Sequence, residues 1–450
     1  MMKMLTGFGR VCINPPLGTP IVGYYYERRV KGILDDVFVN AVAFGADNAR
    51  ALVLSIEICE MSTEQCTVFR KKISEATGID MGAIFINCSH THTGGQVGSV
   101  GALGTGLACP EYEEFLIEAS CEAARLAIED FKPTSLSYAK GEAKGISFIR
   151  RYRMKDGGVQ TNPGVGNPNI LHALGTPSDA AQLLLLSRDG GDDIYVVCYG
   201  THADCVGGEY ISGDWPGFVV RTIEGAIPDS KCIFLTGSQG DVNHINPQPT
   251  DTDRRGLDYD TFDEVPRGYE HSKHMGRVVA GAILQIAGKT VDIDSGDIRF
   301  GTKEIRIPSH KENEREAEAR ALLELYNSGR QDEIPFKAME LTTAVAEANR
   351  IVNLLSGPDD FPFVLSAIAI GDFVLLGIPG ELFVELGRRC EAQSGFGATF
   401  VCCLTNGGDC YFPTESAYDE GGYEARSSKL DRNVERIVLE GVGELFNDLK

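Results

Sequence analysis

Two of the eight histidines in this 450-residue chain stand together in the run NCSHTHTGG (87–95). His90 and His92 alternate with threonine, and in an extended segment that spacing places both imidazoles on one face. Imidazole is a common metal ligand and a general base, so a pair bracketed by Ser, Thr and Gly points to a metal or catalytic role. The competing reading is two hydrogen-bonded loop histidines. His202 in GTHAD is weaker alone, because a lone loop histidine is most often satisfied by its neighbours. Glu381 in IPGEL by itself reads as an acid at a helix N-terminus. Tyr411 in GDCYFPTE by itself reads as a packed aromatic. Together, two His, one Glu and an oxygen ligand compose a zinc set with an open position, the catalytic rather than the closed structural kind.

Other clusters carry weaker signals. GSQGDVNHIN (237–246) follows an apolar run and holds Asp241, Asn243 and His244. Its glycines suit an oxyanion-binding turn or an ordinary tight turn equally. SGDWPG (212–217) holds Asp214 and the only Trp, and reads equally as a turn leading into a helix. RRYR (150–153) is a solvated basic patch or, in an acidic chain, an anion clamp built from Arg150 and Arg151. His271 and His274 lie three apart on an expected helix and read as surface residues.

The elements that must position these groups alternate. Strands are expected over 37–57 (two, turned at Asp47-Asn48), 83–89, 180–200 (two), 231–237 and 398–407. A hairpin over 363–380 turns at Gly371-Asp372. Helices are expected over 62–78, 111–131, 216–226, 270–288, 381–395 and 429–448, with a charged helical pair within 309–357. Ser62, Gln65 and Gly78 supply a capping box and a stop for the first of them. The Gly-, Asn- and Pro-rich stretch 152–180 reads as the longest irregular loop, a candidate lid. The pattern predicts one α/β domain over 1–450, a central mixed β-sheet flanked by helices, with 309–357 as an excursion. NCSHTHTGG, YGTHAD, GIPGE and LTNGGDCY each follow an expected strand, so parallel strands would bring them to one sheet edge, a metal site at the strand C-terminal ends.

Composition narrows the partners. Sixty-four acidic against 42 basic residues give a formal charge of −22, which repels phosphate backbones and anionic membranes. A small-molecule substrate is expected, with no nucleic acid and no membrane partner. The thirteen cysteines fall at irregular spacing with no CxxC, which suits buried thiols in a reduced compartment. The N-terminus lacks the apolar core of a signal peptide, so a cytoplasmic location is expected.

In order along the chain, these blocks resemble the neutral/alkaline (non-lysosomal) ceramidase family. CSHTHTGG resembles its SxTHTHSGPGG segment, GTHADCVGGEYISGDWPG its second histidine segment, and GSQGDVNHIN its GDVSPN loop. IPGELFVELGRR and LTNGGDCYFPTESAYDEGGYEA resemble two further segments, and GFGRVCINPPLGTPIVGY the family's start. The resemblance implies one zinc ion held by His90, His202, Glu381 and Tyr411. It implies substrate contacts from His92 and an Arg of RRYR, Arg150 foremost, and a tyrosine, Tyr423, near the scissile amide. The family's C-terminal β-sandwich is expected to be absent. Asn243 and His244 stand where the family has Ser-Pro, and Trp215 where it has Asn. Catalytic roles are thus expected for His92, Tyr423 and Asn243, and substrate contacts for Arg150, Arg151, Asp241, His244 and Asp214.

The expected activity is zinc-dependent hydrolysis of an amide C–N bond in a small polar molecule rather than in long-chain ceramide. Two alternatives stay open at this point. One is a metal-dependent esterase, lyase or isomerase on a sugar-like or hydroxy-acid substrate. The other is a non-enzymatic metal- or ligand-binding protein.

Overall fold

The computed structural model describes residues 4–24, 27–47, 49–98, 108–249, 268–294, 296–408 and 410–450. Its largest sheet has the strand order Ser230–Thr236, Asp193–Tyr199, Ala180–Arg188, Lys132–Glu142, Leu5–Cys12, Phe38–Gly45, Arg50–Ile56, Ile84–Cys88, with Val291–Ile293 added on Lys132–Glu142. Most neighbours are antiparallel. The exceptions are the two edge pairs, Asp193–Tyr199 with Ser230–Thr236 and Arg50–Ile56 with Ile84–Cys88. A second sheet orders Ile298–Pro308, Asp360–Ile370, Phe373–Gly377 and Ala398–Cys402, the last two parallel. The architecture is therefore α/β with a large mixed sheet, as expected. The single sheet edge of common direction is corrected: the strands that feed the candidate site are parallel pairs at the margins of two mainly antiparallel sheets.

The large sheet is two halves joined weakly. Leu5–Cys12 meets Lys132–Glu142 through only Leu5↔Pro133 and Thr6↔Lys132. The halves come together elsewhere: Ser55 Oγ donates to the Phe234 carbonyl at 2.6 Å, and Thr236 Oγ1 to the Cys88 carbonyl at 2.8 Å. Asn87 then ties both halves to the second sheet. Its Nδ2 donates to Cys403 O at 2.6 Å, and its Oδ1 accepts from Thr236 N at 2.9 Å. An amide that can donate and accept at once is what such a three-way junction needs.

The apolar runs bury as their sequences require. Phe44, Phe69, Phe85, Phe373 and Phe400 are essentially fully buried in one cluster shared by both sheets. Each such ring contributes roughly 1.5–3 kcal/mol through burial. Helix Pro110–Glu129 crosses Leu5–Cys12 so closely that a Cβ at Gly9 would lie 2.1 Å from the Ala123 carbonyl oxygen, which only glycine permits. A second cluster packs Trp215 against Phe234, with ring centroids 4.9 Å apart, under helices Asp214–Ala226 and Tyr269–Ile286.

Local signals held where they were local. Helix Thr63–Thr77 has the Ser62/Gln65 capping box and a left-handed Gly78. Asp360–Ile370 and Phe373–Gly377 pair through a Gly371-Asp372 turn, with Gly371 at φ 56°. Glu316–Asn327 and Ala338–Leu354 form the helical pair around a small core of Ala319, Ala348 and Ile351. Asn48, half of the expected Asp47-Asn48 turn, lies outside the described residues. The stretch 152–180 is not an irregular loop: Arg151–Met154, Val159–Thr161 and Ile170–Ala173 form a three-stranded sheet, and the Gly, Asn and Pro residues make its turns. No described helix is long and apolar enough to cross a membrane.

Candidate metal centre

Three parallel strand pairs end at one place. His90 lies just beyond Ile84–Cys88, His202 beyond Asp193–Tyr199, Glu381 beyond Phe373–Gly377 and Tyr411 beyond Ala398–Cys402. Glu381 is not the helix N-terminal acid its local sequence suggests. Helix Val384–Gln393 starts later, and Glu381 sits in a two-residue strand whose direct partner in a parallel ladder is Tyr411. His90 has φ 67°, a left-handed conformation unusual outside glycine and typical of functional constraint.

The ring nitrogens are assigned by their partners. His90 Nδ1 lies 3.0 Å from the Cys59 carbonyl, and His202 Nδ1 lies 3.0 Å from the carbonyls of both Gln239 and Val242. A carbonyl only accepts, so each Nδ1 carries the proton and each Nε2 presents a lone pair. These lone pairs meet a third acceptor: Glu381 Oε2 is 3.5 Å from His90 Nε2 and 3.0 Å from His202 Nε2. Three buried acceptors at such distances repel unless a proton or a cation lies among them. Burial pushes the Glu381 carboxyl upward, which offers the proton. It also pushes His90 and His202 down to about 3, so both rings are neutral, the form that ligates a metal. His90, His202 and Glu381 also fit one cation together by the spacing of their donor atoms. Two imidazoles, a carboxylate and a phenol are a zinc-type donor set, and each imidazole is held from behind by a carbonyl as ligating histidines are.

Arg150 closes the other side. It donates through Nη2 to Tyr411 Oη at 3.1 Å and Gly240 O at 2.9 Å, and its Nη1 is 3.2 Å from His202 Nε2. A bound cation would displace that last contact. Its Nε pairs with Glu424 at 2.6 Å, and Glu424 is fully buried. Tyr411 in turn hydrogen-bonds Glu381. Burial drives the Tyr411 phenol well above its ordinary range, with the Glu381 charge adding to it and Arg150 opposing. Tyr423 stands beside Tyr411, ring centroids 5.6 Å apart. His92 Nε2 is 3.3 Å from His90 Nε2.

The five expected substrate contacts, and Asn243, expected to be catalytic, already have partners within the protein. Arg150 and Arg151 form no free anion clamp. Arg150 is bound as above, while Arg151 stacks on Phe383 and donates to Glu420 Oε2 at 3.0 Å and Gly421 O at 2.8 Å. Asp214, at φ 51°, spends its carboxylate on backbone N–H groups of Cys205, Val206 and Trp215, at 2.8, 3.0 and 2.6 Å. Asp241 accepts from Val384 N at 2.8 Å, at the start of helix Val384–Gln393. Asn243 donates to Asn162 and accepts from Ile245 N, both at 3.0 Å. His244 is buried with its ring 5.7 Å from His271, which is itself buried rather than on the surface; His274 stacks 6.0 Å beyond.

Burial raises Asp241 from its ordinary 3.8 to about 6, against the Val384 N–H and Arg151. A raised folded value means stability present below 3.8 and lost as pH climbs through 6. Asp241→Asn keeps the acceptor and removes the ionisation. Its unfolding free energy should gain about 1–3 kcal/mol on wild type between pH 4 and pH 7. Urea unfolding of both proteins at the two pH values checks this, and a constant difference refutes it.

Residues that sequence reasoning missed include Asp204, whose Oδ1 is 3.7 Å from His92 Nδ1, and Tyr24, whose hydroxyl donates to Asp204. Asp204 stands two residues after His202, the same spacing as His90 and His92, which was the available signal.

No family model matches the chain, and no curated relative does. Solved structures do. The neutral ceramidase of Pseudomonas aeruginosa superposes with a TM-score of 0.74 at 14% identity, covering 100% of this chain and 75% of that one. A ceramidase complexed with C2 gives a TM-score of 0.72 at 13% identity, covering 99% and 75%. The chain therefore has the fold of the neutral ceramidases.

Proposed function

We propose that this chain is a one-zinc hydrolase cleaving the amide C–N bond of a small polar substrate, working in the reducing cytoplasm. The observation that carries the reading is the meeting of His90 Nε2 and His202 Nε2 at Glu381 Oε2, 3.5 and 3.0 Å away, both rings locked in the ligating tautomer. The ceramidase fold supports the reaction class, and thirteen thiols, none in a disulfide, suit the compartment.

His90, His202, Glu381 and Tyr411 would hold the ion. Zinc there supplies Lewis acidity toward a substrate carbonyl and acidifies water toward a pKa of ~7. Arg150 holds the Tyr411 oxygen in place and favours its negative form. His92 presents Nε2 at the centre, where it takes a proton from the attacking water and returns it to the leaving nitrogen. Tyr423 offers a hydroxyl from the side of Tyr411.

The residues adjoining the centre support a polar substrate. Asn162 and Asn243 bond each other next to the Val242 carbonyl that holds His202, and Asp204 and Tyr24 stand behind His92. Amide, carboxylate and phenol groups suit hydroxyl or amide partners and oppose an acyl chain. Incubation of the zinc-loaded protein with N-acyl compounds, from acetylated polar amines to long-chain ceramide, and with matched esters tests this by mass spectrometry. Release of free amine from the short polar amides is expected. Turnover of long-chain ceramide in the ~1–10³ per second range of ordinary enzymes would overturn the substrate class. Ester cleavage without amide cleavage would overturn the bond assignment.

A further inference from the structure

We infer that Asp204 is the positioning residue for His92, and that a cation at the centre drives the His92 proton from Nε2 to Nδ1, where Asp204 receives it. The inference rests on the hydrolase reading above for its catalytic consequence, though not for its structural one.

The backbone puts the two side chains in register. Segment 91–93 runs along the loop 203–212: His92 N donates to Ala203 O at 3.1 Å, Ser212 N to Thr93 O at 3.2 Å, and Thr91 Oγ1 to Ser212 O at 2.7 Å. Asp214 then pins the loop immediately after Asp204 through the N–H groups of Cys205 and Val206. That gives the buried, strained Asp214 a purpose that substrate contact did not.

The Asp204 oxygen that faces His92 is itself held in place. Tyr24 donates its hydroxyl to Asp204 Oδ1. Arg28 lies 4.0 Å over the Tyr24 ring and donates through Nη2 to the His92 carbonyl at 2.8 Å and the Val22 carbonyl at 2.7 Å. The His92 ring cannot swing away toward this wall. Gly23 packs against it, and a Cβ at Gly23 would lie 2.7 Å from His92 Nδ1.

Tautomer logic then fixes the roles. His90 Nε2 carries a lone pair, because its Nδ1 proton is spent on Cys59 O. Without a cation, His92 satisfies that lone pair at 3.3 Å only by donating from its own Nε2. Its Nδ1 is then bare, and it is buried with no hydrogen bond, 3.7 Å from the Asp204 carboxylate. Two acceptors at that distance do not attract. A cation that takes the His90 lone pair removes the reason for the Nε2 proton. The proton moves to Nδ1, the gap to Asp204 closes, and Nε2 becomes the acceptor that proton transfer from water requires. The move is a tautomerisation: one N–H bond breaks, one forms, and the ring charge is unchanged.

The test uses the full chain with ¹⁵N-labelled histidine, with and without zinc ion, read by long-range ¹H–¹⁵N correlations that separate the two neutral tautomers. His92 should be Nε2–H in the zinc-free protein and Nδ1–H in the zinc-loaded protein. Asp204→Asn, whose amide donates to Nδ1, should keep the Nε2–H form with zinc bound at full stoichiometry. That variant should lose ~10²–10⁴-fold in kcat with KM little changed, the scale of one general base, and Asp204→Glu should recover part of it. An Nε2–H tautomer in zinc-loaded wild type overturns the inference. So does zinc lost together with activity in Asp204→Asn, which would make Asp204 merely structural. Wild type that hydrolyses nothing defeats the hydrolase reading alone, since the tautomer is read without turnover.

Discussion

His202→Ala yields a protein purified without stoichiometric zinc, with kcat/KM on the proposed amide substrate lowered by more than ~10³-fold, over ~4 kcal/mol of transition-state stabilisation. The size follows from position. His202 is buried, neutral and fixed by two carbonyls, so neither a neighbouring side chain nor bulk water takes over its lone pair. His90→Ala should behave alike, while His172→Ala, at an exposed position, should keep its zinc. Inductively coupled plasma mass spectrometry on the three variants decides the matter. Full zinc in both His90→Ala and His202→Ala would remove the centre from these residues.

Glu424→Leu should cost about 3–5 kcal/mol of stability, the penalty for leaving buried charge without its partner. Glu424 is wholly buried between two guanidiniums, at 2.6 Å from Arg150 Nε and 3.8 Å from Arg151 Nε, and it accepts from Thr161 Oγ1 at 3.0 Å. Its loss strands Arg150 beside the centre and Arg151 under Phe383 at once. Denaturant unfolding at neutral pH measures the effect. A change below ~1 kcal/mol would mean that water or Glu420 replaces the carboxylate.

What the sequence made legible was whatever neighbours in the chain decide. Ser62, Gln65 and Gly78 announced a helix because capping is settled within a few residues. Gly371 announced its turn for the same reason. The four candidate ligands, and their meeting beyond strand ends, were reachable through the order of their motifs, but the parallel pairs at the margins of two sheets that bring them together were not. Glu381 looked like a helix-end acid because the strand that claims it, beside Tyr411, lies thirty residues on. Arg151 looked like part of a clamp because nothing local shows that Glu420 and Gly421 occupy it. His271 looked exposed because its burying partner, His244, comes from another element. The stretch 152–180 was misjudged differently: Gly, Asn and Pro were counted as absence of structure when they were the turns of a small sheet.

The junction at Asn87 has a consequence for how the protein is made. The two halves of the large sheet barely join through their own ladder, and the amide of one residue bonds them to the strand end at Cys403. The donors around the centre are drawn from residue 90 to residue 411, so the centre cannot form before residue 411 has been made. Capture of the proposed zinc ion would therefore wait until Tyr411 has been made. Such an ion would close a loop that spans most of the sequence, and its binding energy would accrue to the native state alone. On the proposed zinc reading, occupancy would mark completed folding, and a cell short of zinc would accumulate chains more readily unfolded and degraded.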